Sequence, residues 1–588
     1  MDSKTEQQLL KWFDEVPSGD EAVDSNSDID EAPSDHVEEN TDSEQSDENN
    51  VSEMLNVADM SSRVPIMVGK NGMEWLKHKP HKTKLKTAQA NIITKLPGVR
   101  PIAKNATTIL DCWKLFFSDE VIQDIVRYTN QKLRSLQSLY KRERDCLPTD
   151  YDKINAFIGV LYMAGVLRSQ HLHTYNLWSS DGTAPEFFAA VMSERRFHII
   201  LRAIRFDDSD TREERRDIDN LAPIRELFEH INQRCSACYT VGIFTTIDEM
   251  LEGFRGRCKF RQYIANKPAK YGIKIYSLAD AKIFYTYNME IYAGKQPEGP
   301  YNIPNDASSV VKRLIVPISK SGRNITMDNY FTSVPLVNEL YTNHKLTVVG
   351  TLRKNKPHIP ADLLSVKNRP VCSSVFAYGQ GDNKCVLVSY VPHKNKNVLV
   401  LSSYHDDDSI DPEPKDAFKP EIITFYNKTK GGVDVVDRMK SEYSVTRKSN
   451  RWPFTIFCTL LNVTTINSQI IYAANTQIML KRRQYITDLA KQLTAAHLQK
   501  RASISTLSIA LRQKISNICG HKNVIPTKKQ QGNAQPKPRC EYCPLRKNRF
   551  TQHSCANCSS PICKEHTAST RYLCVECHGK NAYEDSDS

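Results

Sequence analysis

Basic residues are nearly missing from the first fifty positions, where only Lys4 and Lys11 stand against 17 Asp and Glu, a local balance of −15. Large apolar residues are equally scarce there after Phe13, so residues 1–65 cannot bury enough surface to fold and read as a disordered acidic tail. The N-terminus, MDSKTEQQLLKWFDE, lacks a basic region followed by an apolar run, which argues against a signal peptide and secretion. Nine cysteines lie scattered over the first 539 residues without regular spacing, which argues against a disulfide scaffold. Charge is absent from Pro453 to Leu480, a stretch long enough to span a bilayer. Eight polar residues from Thr455 to Gln469 would be costly in lipid, so a buried helix is expected there and no membrane partner.

Positive charge fills the rest of the chain. Of 588 residues with net charge +12, the 538 that follow the acidic head carry +27, and such a body points to a polyanionic partner, most simply nucleic acid. At roughly 150 residues per domain, about four folding units are expected. Ser25, Ser27 and Thr41 each have an acid three positions on, which would suit an acidophilic kinase. Residues 66–104 carry eight basic residues from Lys70 to Arg100 against Glu74 and read as a basic arm or linker around Trp75.

From residue 105 the pattern is helical. Ser118-Asp119-Glu120 precedes Val121, Ile122, Ile125 and Val126 on one helical face, and Thr149 with Asp152 forms a variant capping box. From Ile243 short alternating segments take over: IFTTID, YGIKIYSLAD and IFYTYNMEIYAG read as strands, followed by helix, RNITMD, helix and KLTVVGTL, the order βββαβαβ. Residues 355–420, rich in Pro, Lys and Asp, read as an insertion before a helix that begins at Gly431-Gly432.

Three carboxylates end apolar elements: Asp248 after IFTTI, Asp328 after NITM and Asp434 after GGV. Phosphodiester chemistry with two Mg²⁺ ions needs such a set, because hard cations want oxygen ligands that clamp the attacking and leaving oxygens. Glu249 adjoins Asp248, but successive strand residues face opposite sides, so only Asp248 is expected to point at the metals. Asp437, three residues after Asp434, shares its helical face.

The tail carries Cys540-x2-Cys543, Cys555-x2-Cys558, Cys563-x2-His566 and Cys574-x2-Cys577, enough for two tetrahedral zinc ions. A cross-brace would join Cys540, Cys543, Cys563 and His566 at one ion and Cys555, Cys558, Cys574 and Cys577 at the other. Cys235-x2-Cys238 has no second pair nearby and reads as buried thiols.

These phrases resemble the piggyBac family of DNA transposases. The likeness rests on TIDEMLEGFRGRCKFRQYIANKPAKYGIK from Thr246, RNITMDNYFTS from Arg323, KLTVVGTLRKNK from Lys345, YNKTKGGVDVVDRM from Tyr426, TRKSNRWP from Thr446 and WKLFFSDEVIQDIVRYTN from Trp113. The resemblance implies an α+β multidomain fold. An RNase H-like catalytic domain (243–354 and 421–443) would hold the insertion domain (355–420), flanked by a discontinuous helical dimerisation and DNA-binding domain (105–242 and 444–520). A basic linker (521–538) and a cysteine-rich double-zinc domain (539–580) would follow. It implies Asp248, Asp328 and Asp434 as Mg²⁺ ligands, with Mn²⁺ a possible substitute, and Asp437 as a further acid at a DDD site. The reaction implied is nicking at transposon ends, 3′-OH attack through a hairpin and insertion at TTAA, by a nuclear homodimer on double-stranded DNA. Arg255, Arg257, Lys270, Lys274, Arg353, Lys356, Arg447, Lys448 and Trp452 are the expected DNA contacts. The alternatives are a host-adopted, non-cutting DNA-binding or chromatin protein of the same origin, and a RING or PHD module on an inert body.

Overall fold

The computed structural model describes residues 65–80, 92–519 except 266, 382 and 413–417, and 538–567. The acidic tail, the basic linker 521–537, Cys574 and Cys577 lie outside the described residues. Residues up to 520 form one compact unit and those after it a second.

Helices from both ends of the first unit pack into one layer. They are α1 (Ile109–Lys114), α2 (Asp119–Gln137), α3 (Tyr151–Val166), α4 (Glu194–Ala203) and α5 (Arg225–Cys238) from the first stretch. Ser118 caps α2 as expected, its side chain accepting from Val121 N. The cap of α3 is Asp150, which accepts from Lys153 N, rather than Thr149, whose amide is taken by Asn130 Oδ1 at 2.7 Å. Further along the chain, α6 (Ala307–Leu314) and α7 (Val334–His344) link strands, and α8 (Glu421–Thr429) leads to α9 (Gly432–Glu442), α10 (Trp452–Thr476) and α11 (Arg482–Ala502). The charge-free helix α10 is long and apolar enough to cross a membrane, and its most apolar stretch is buried inside the protein. Several of its polar groups find partners there: Asn467 Nδ2 donates to Thr286 O at 2.8 Å, and Leu461 O accepts from Tyr162 Oη at 3.1 Å. The helix stops short of Leu480 because Gln477 turns left-handed at φ 59°.

The strands are β1 (Ile66–Val68), β2 (Glu74–Leu76), the ribbon β3 (Gly98–Val99) with β4 (Tyr239–Thr240), then β5 (Phe244–Gly253), β6 (Gln262–Tyr263), β7 (Tyr271–Asp280), β8 (Thr286–Ile291), β9 (Asn324–Met327), β10 (Thr347–Thr351), β11 (Ser374–Gly379), β12 (Val386–His393) and β13 (Lys396–Ser402). All but β3 and β4 join one sheet ordered β1-β2-β11-β12-β13-β10-β9-β5-β7-β6, with β8 also on β7. Its centre follows the βββαβαβ succession: β5, β7 and β8 pair antiparallel, and β9 and β10, each after a helix, run parallel to β5.

Two segments set apart by composition are joined to this sheet. Residues 355–420 do not stand apart, because β13 pairs with β10 through Val349↔Ser402 and carries the meander β11–β13 onto the same sheet. Residues 66–104 are not simply a basic arm. The β1–β2 hairpin caps β11 through Tyr378↔Leu76 and Gly379↔Trp75, and fully buried Trp75 donates Nε1 to His358 O at 3.0 Å. Downstream, the buried Arg323 guanidinium donates to Lys95 O at 2.9 Å, tying residues near 95 to the body.

Candidate active site

The site is built by strand register. Parallel β5 and β9 pair as far as Ile247↔Met327, so Asp248, still within β5 and paired with Ser277 of β7, and Asp328, just past the end of β9, come next in the two chains at one level. Asp328 folds into the turn that ends β9, its Oδ1 accepting from Tyr330 N at 3.0 Å and Phe331 N at 3.4 Å. The carboxylate of Glu249 joins them, and one oxygen from each of Asp248, Glu249 and Asp328 lies within 4.8 Å of the others. This corrects the expectation that Glu249 would face away. Pairing with β9 ends before it, and its longer side chain reaches the space at the free end of the sheet.

Helix α9 brings Asp434. It approaches β5 closely because Gly432 has no side chain, and a Cβ there would stand 2.6 Å from Thr246 Oγ1. Asp434, on the first turn, is 62% exposed and lies beside the cluster of three, 3.7 Å from Lys267 Nζ. Asp437, one turn on, is held 2.8 Å from Lys440, whose ammonium also bonds Glu252. Buried Lys440 thereby pins the helix that carries Asp434 to the strand that carries Asp248. Sequence reasoning passed over it, although its place three residues after Asp437 was a visible signal.

Burial first, and like charge after it, governs the electrostatics. Burial, then Glu249, Asp328 and Asp434, push the Asp248 carboxyl well above the usual range. Burial and Glu249 push Asp328 up to about 6 against the pull of its backbone donors and Arg353. Crowded carboxylates that hold their protons this way are the donor set of a hard divalent cation, whose charge would reverse the repulsion. These residues fit Mg²⁺.

The expected DNA contacts divide. Exposed Arg255 and Arg257, with Lys259, Arg261 and Asn450, line an open cavity of about 710 Å³. Lys274 Nζ lies 4.8 Å from the Tyr330 ring centroid and Arg353 5.8 Å, so both flank the turn that holds Asp328. Lys270 and Lys448 are exposed, and Lys356 is half-buried in a turn after Arg353. Arg447 is instead buried, donating Nη2 to Ser169 Oγ at 2.7 Å in the segment after α3, so its guanidinium is taken up by the protein's own chain rather than by a phosphate. Trp452, also an expected DNA contact, packs edge-on against Phe260 at 5.1 Å between ring centroids.

In the second unit Cys540, Cys543, Cys563 and His566 converge. Cys543 Sγ to Cys563 Sγ is 3.7 Å, and Cys540 Sγ and Cys563 Sγ lie 3.6 and 3.3 Å from His566 Nδ1. Tetrahedral zinc with ordinary bond lengths would space such ligands by roughly 3.6–3.8 Å. Burial raises the Cys563 thiol, but hydrogen bonds from His566 and the neighbouring thiols outweigh it and hold it at about 6, ready to bind as thiolate. Cys555 is buried and Cys558 exposed, while their expected partners lie outside the described residues. Cys235 and Cys238 are buried thiols of α5, with Cys235 Sγ 3.3 Å from Asn467 Nδ2.

Comparison with known proteins bears on this site. The family model described as Transposase IS4 matches residues 109–469, which include all four aspartates. The human PiggyBac transposable element-derived protein 3 is 23% identical over 380 residues, 60% of this chain and 58% of that protein. The human chimeric ERCC6-PGBD3 protein matches equally over 32% of its length, so the match spans little more than half of these relatives at most. A piggyBac transposase solved by cryo-EM as a synaptic complex with hairpin DNA is similar with a TM-score of 0.72 and 37% identity, covering 82% of this chain and all of that one. The chain therefore belongs to the IS4-type transposase family, in its piggyBac branch.

Proposed function

We propose that this protein is a cut-and-paste DNA transposase with an RNase H-like core. It binds transposon terminal inverted repeats as a homodimer in the nucleus, excises the element by 3′-OH attack through hairpin intermediates and inserts it at TTAA. The observation that carries this reading is the β5–β9 register, which delivers Asp248 and Asp328 side by side from two strands. Likeness to a transposase complexed with hairpin DNA supports the substrate class. Two Mg²⁺ ions, or Mn²⁺, held by Asp248, Asp328 and Asp434 would supply the charge that stabilises the attacking and leaving oxygens. The chain's own residues supply the rest. Asp437 and Lys440 hold α9 in place, Arg255, Arg257, Lys270, Lys274, Arg353, Lys356 and Lys448 hold DNA phosphates, and the cysteine-rich unit, with two structural zinc ions, reads transposon ends. The acidic tail is a substrate for an acidophilic kinase.

Asp328→Asn should abolish cleavage of an end-bearing duplex in Mg²⁺ while leaving DNA binding intact, as read by a cleavage gel beside a binding assay. Undiminished cleavage would defeat the assignment. A second reading, a host-adopted DNA-binding protein that no longer cuts, is suggested by the human relative, a protein derived from a transposable element. Cleavage by the wild-type chain decides between the two.

A further inference from the structure

Two lysines enter the acid cluster, and they are held differently. Lys440 is 5% exposed and bonded to Asp437 and Glu252, an arrangement closed on all sides. Lys267, 21% exposed, enters from the turn between β6 and β7. That turn is fixed without its side chain: Ile264 N donates to Lys270 O at 2.8 Å, and Lys270 N donates to Lys267 O at 3.0 Å. The Lys267 ammonium donates to the backbone oxygen of Glu249 at 3.1 Å and stands 3.7 Å from Asp434 Oδ1, beyond hydrogen-bond length. The charged groups facing it are Asp248 and Glu249 from β5 and Asp434 and Asp437 from α9. It is thus a tethered cation close to oxygens that a divalent ion would claim, and no short bond to a carboxylate retains it.

We propose that Lys267 is the resident cation of the metal site: it offsets the carboxylate repulsion in the metal-free protein, gives up Asp434 to the entering ion, and so sets the metal concentration at which the site fills. This rests on the reading that Asp248, Asp328 and Asp434 hold divalent cations. An ammonium beside the site disfavours a second cation by Coulomb repulsion, and the site without that ammonium is more strained when empty. Removing the charge should therefore weaken the empty protein and tighten metal binding together, two effects that simple loss of packing would not couple.

The test uses the full-length chain stripped with EDTA and titrated with MgCl₂ or MnCl₂ alone, read by calorimetry and by thermal melting without DNA. Lys267→Gln and Lys267→Met should lower the metal-free melting temperature and shift half-saturation to a metal concentration roughly three- to tenfold lower, as expected for one unit charge in a partly hydrated site. Lys267→Arg should match wild type. Unchanged or weaker metal binding in folded Lys267→Gln, or an unchanged metal-free melting temperature, overturns the proposal while leaving the site's metal binding standing. A wild-type protein that takes up no metal, with Asp248→Asn behaving identically, would instead overturn the functional reading and this inference together.

Discussion

Asp328 shows how far a single carboxyl is governed by its neighbours. Burial and Glu249 raise it to about 6 from an ordinary 3.8, so between those values the folded protein keeps a proton that the unfolded chain has lost. The stability this group contributes is present below about pH 4 and disappears as the pH rises through 6 in metal-free protein. A metal must displace this proton as well as the one burial holds on Asp248, so Mg²⁺ affinity should rise by roughly tenfold or more between pH 5 and pH 7. Titration calorimetry at several pH values checks this, and Asp328→Asn should reduce the slope along with most of the binding. The aspartates were legible in the sequence because each ends an apolar element. Glu249 was not, because alternation along a strand says nothing of where the neighbouring strand stops. Arg447 misled for a related reason: a basic residue in a basic run has no mark that separates a guanidinium buried against a segment 278 residues away from one facing DNA.

Among the elements, those with strong local periodicity were foreseen and those that depend on distant partners were not. Strands β5, β7 and β8 announce themselves by alternation, and α10 by its lack of charge. The β1–β2 hairpin has only three residues per strand, too few for a period, and its partner β11 lies some 300 residues away in sequence. It closes an edge that would otherwise offer unpaired backbone groups, and Trp75 is its anchor. Trp75→Ala should lower stability by about 3–5 kcal/mol, the usual cost of emptying a buried aromatic site. Removal of residues 1–64 alone should leave the denaturation midpoint unchanged. Equal midpoints for Trp75→Ala and wild type in urea would show that the hairpin is a passenger. The insertion follows the same logic: its composition separates it from the core, but hydrogen bonding from β13 to β10 makes it an extension of the catalytic sheet.

For the whole molecule, the division of charge is the feature with a functional consequence. The head carries −15 and the remainder +27, and cations gather beside the aspartates, in the loop from Arg255 to Arg261 and in Lys270, Lys274 and Arg353. A tethered polyanion with that charge competes with DNA for such a surface, and the competition is electrostatic, so it must weaken as ions screen it. Removing residues 1–64 should therefore tighten binding to a DNA duplex of unrelated sequence by several-fold at about 50 mM salt and make little difference at several hundred millimolar. The salt slope carries the argument. If the tail occupies phosphate sites, its loss increases the number of ions released when DNA binds, and the plot of log affinity against log salt becomes steeper. Phosphates added at Ser25, Ser27 and Thr41 would act in the opposite sense to the deletion, strengthening the competitor and weakening low-salt DNA binding further. Parallel salt plots for the full-length and shortened chains would show that the acidic head does not touch the DNA surface.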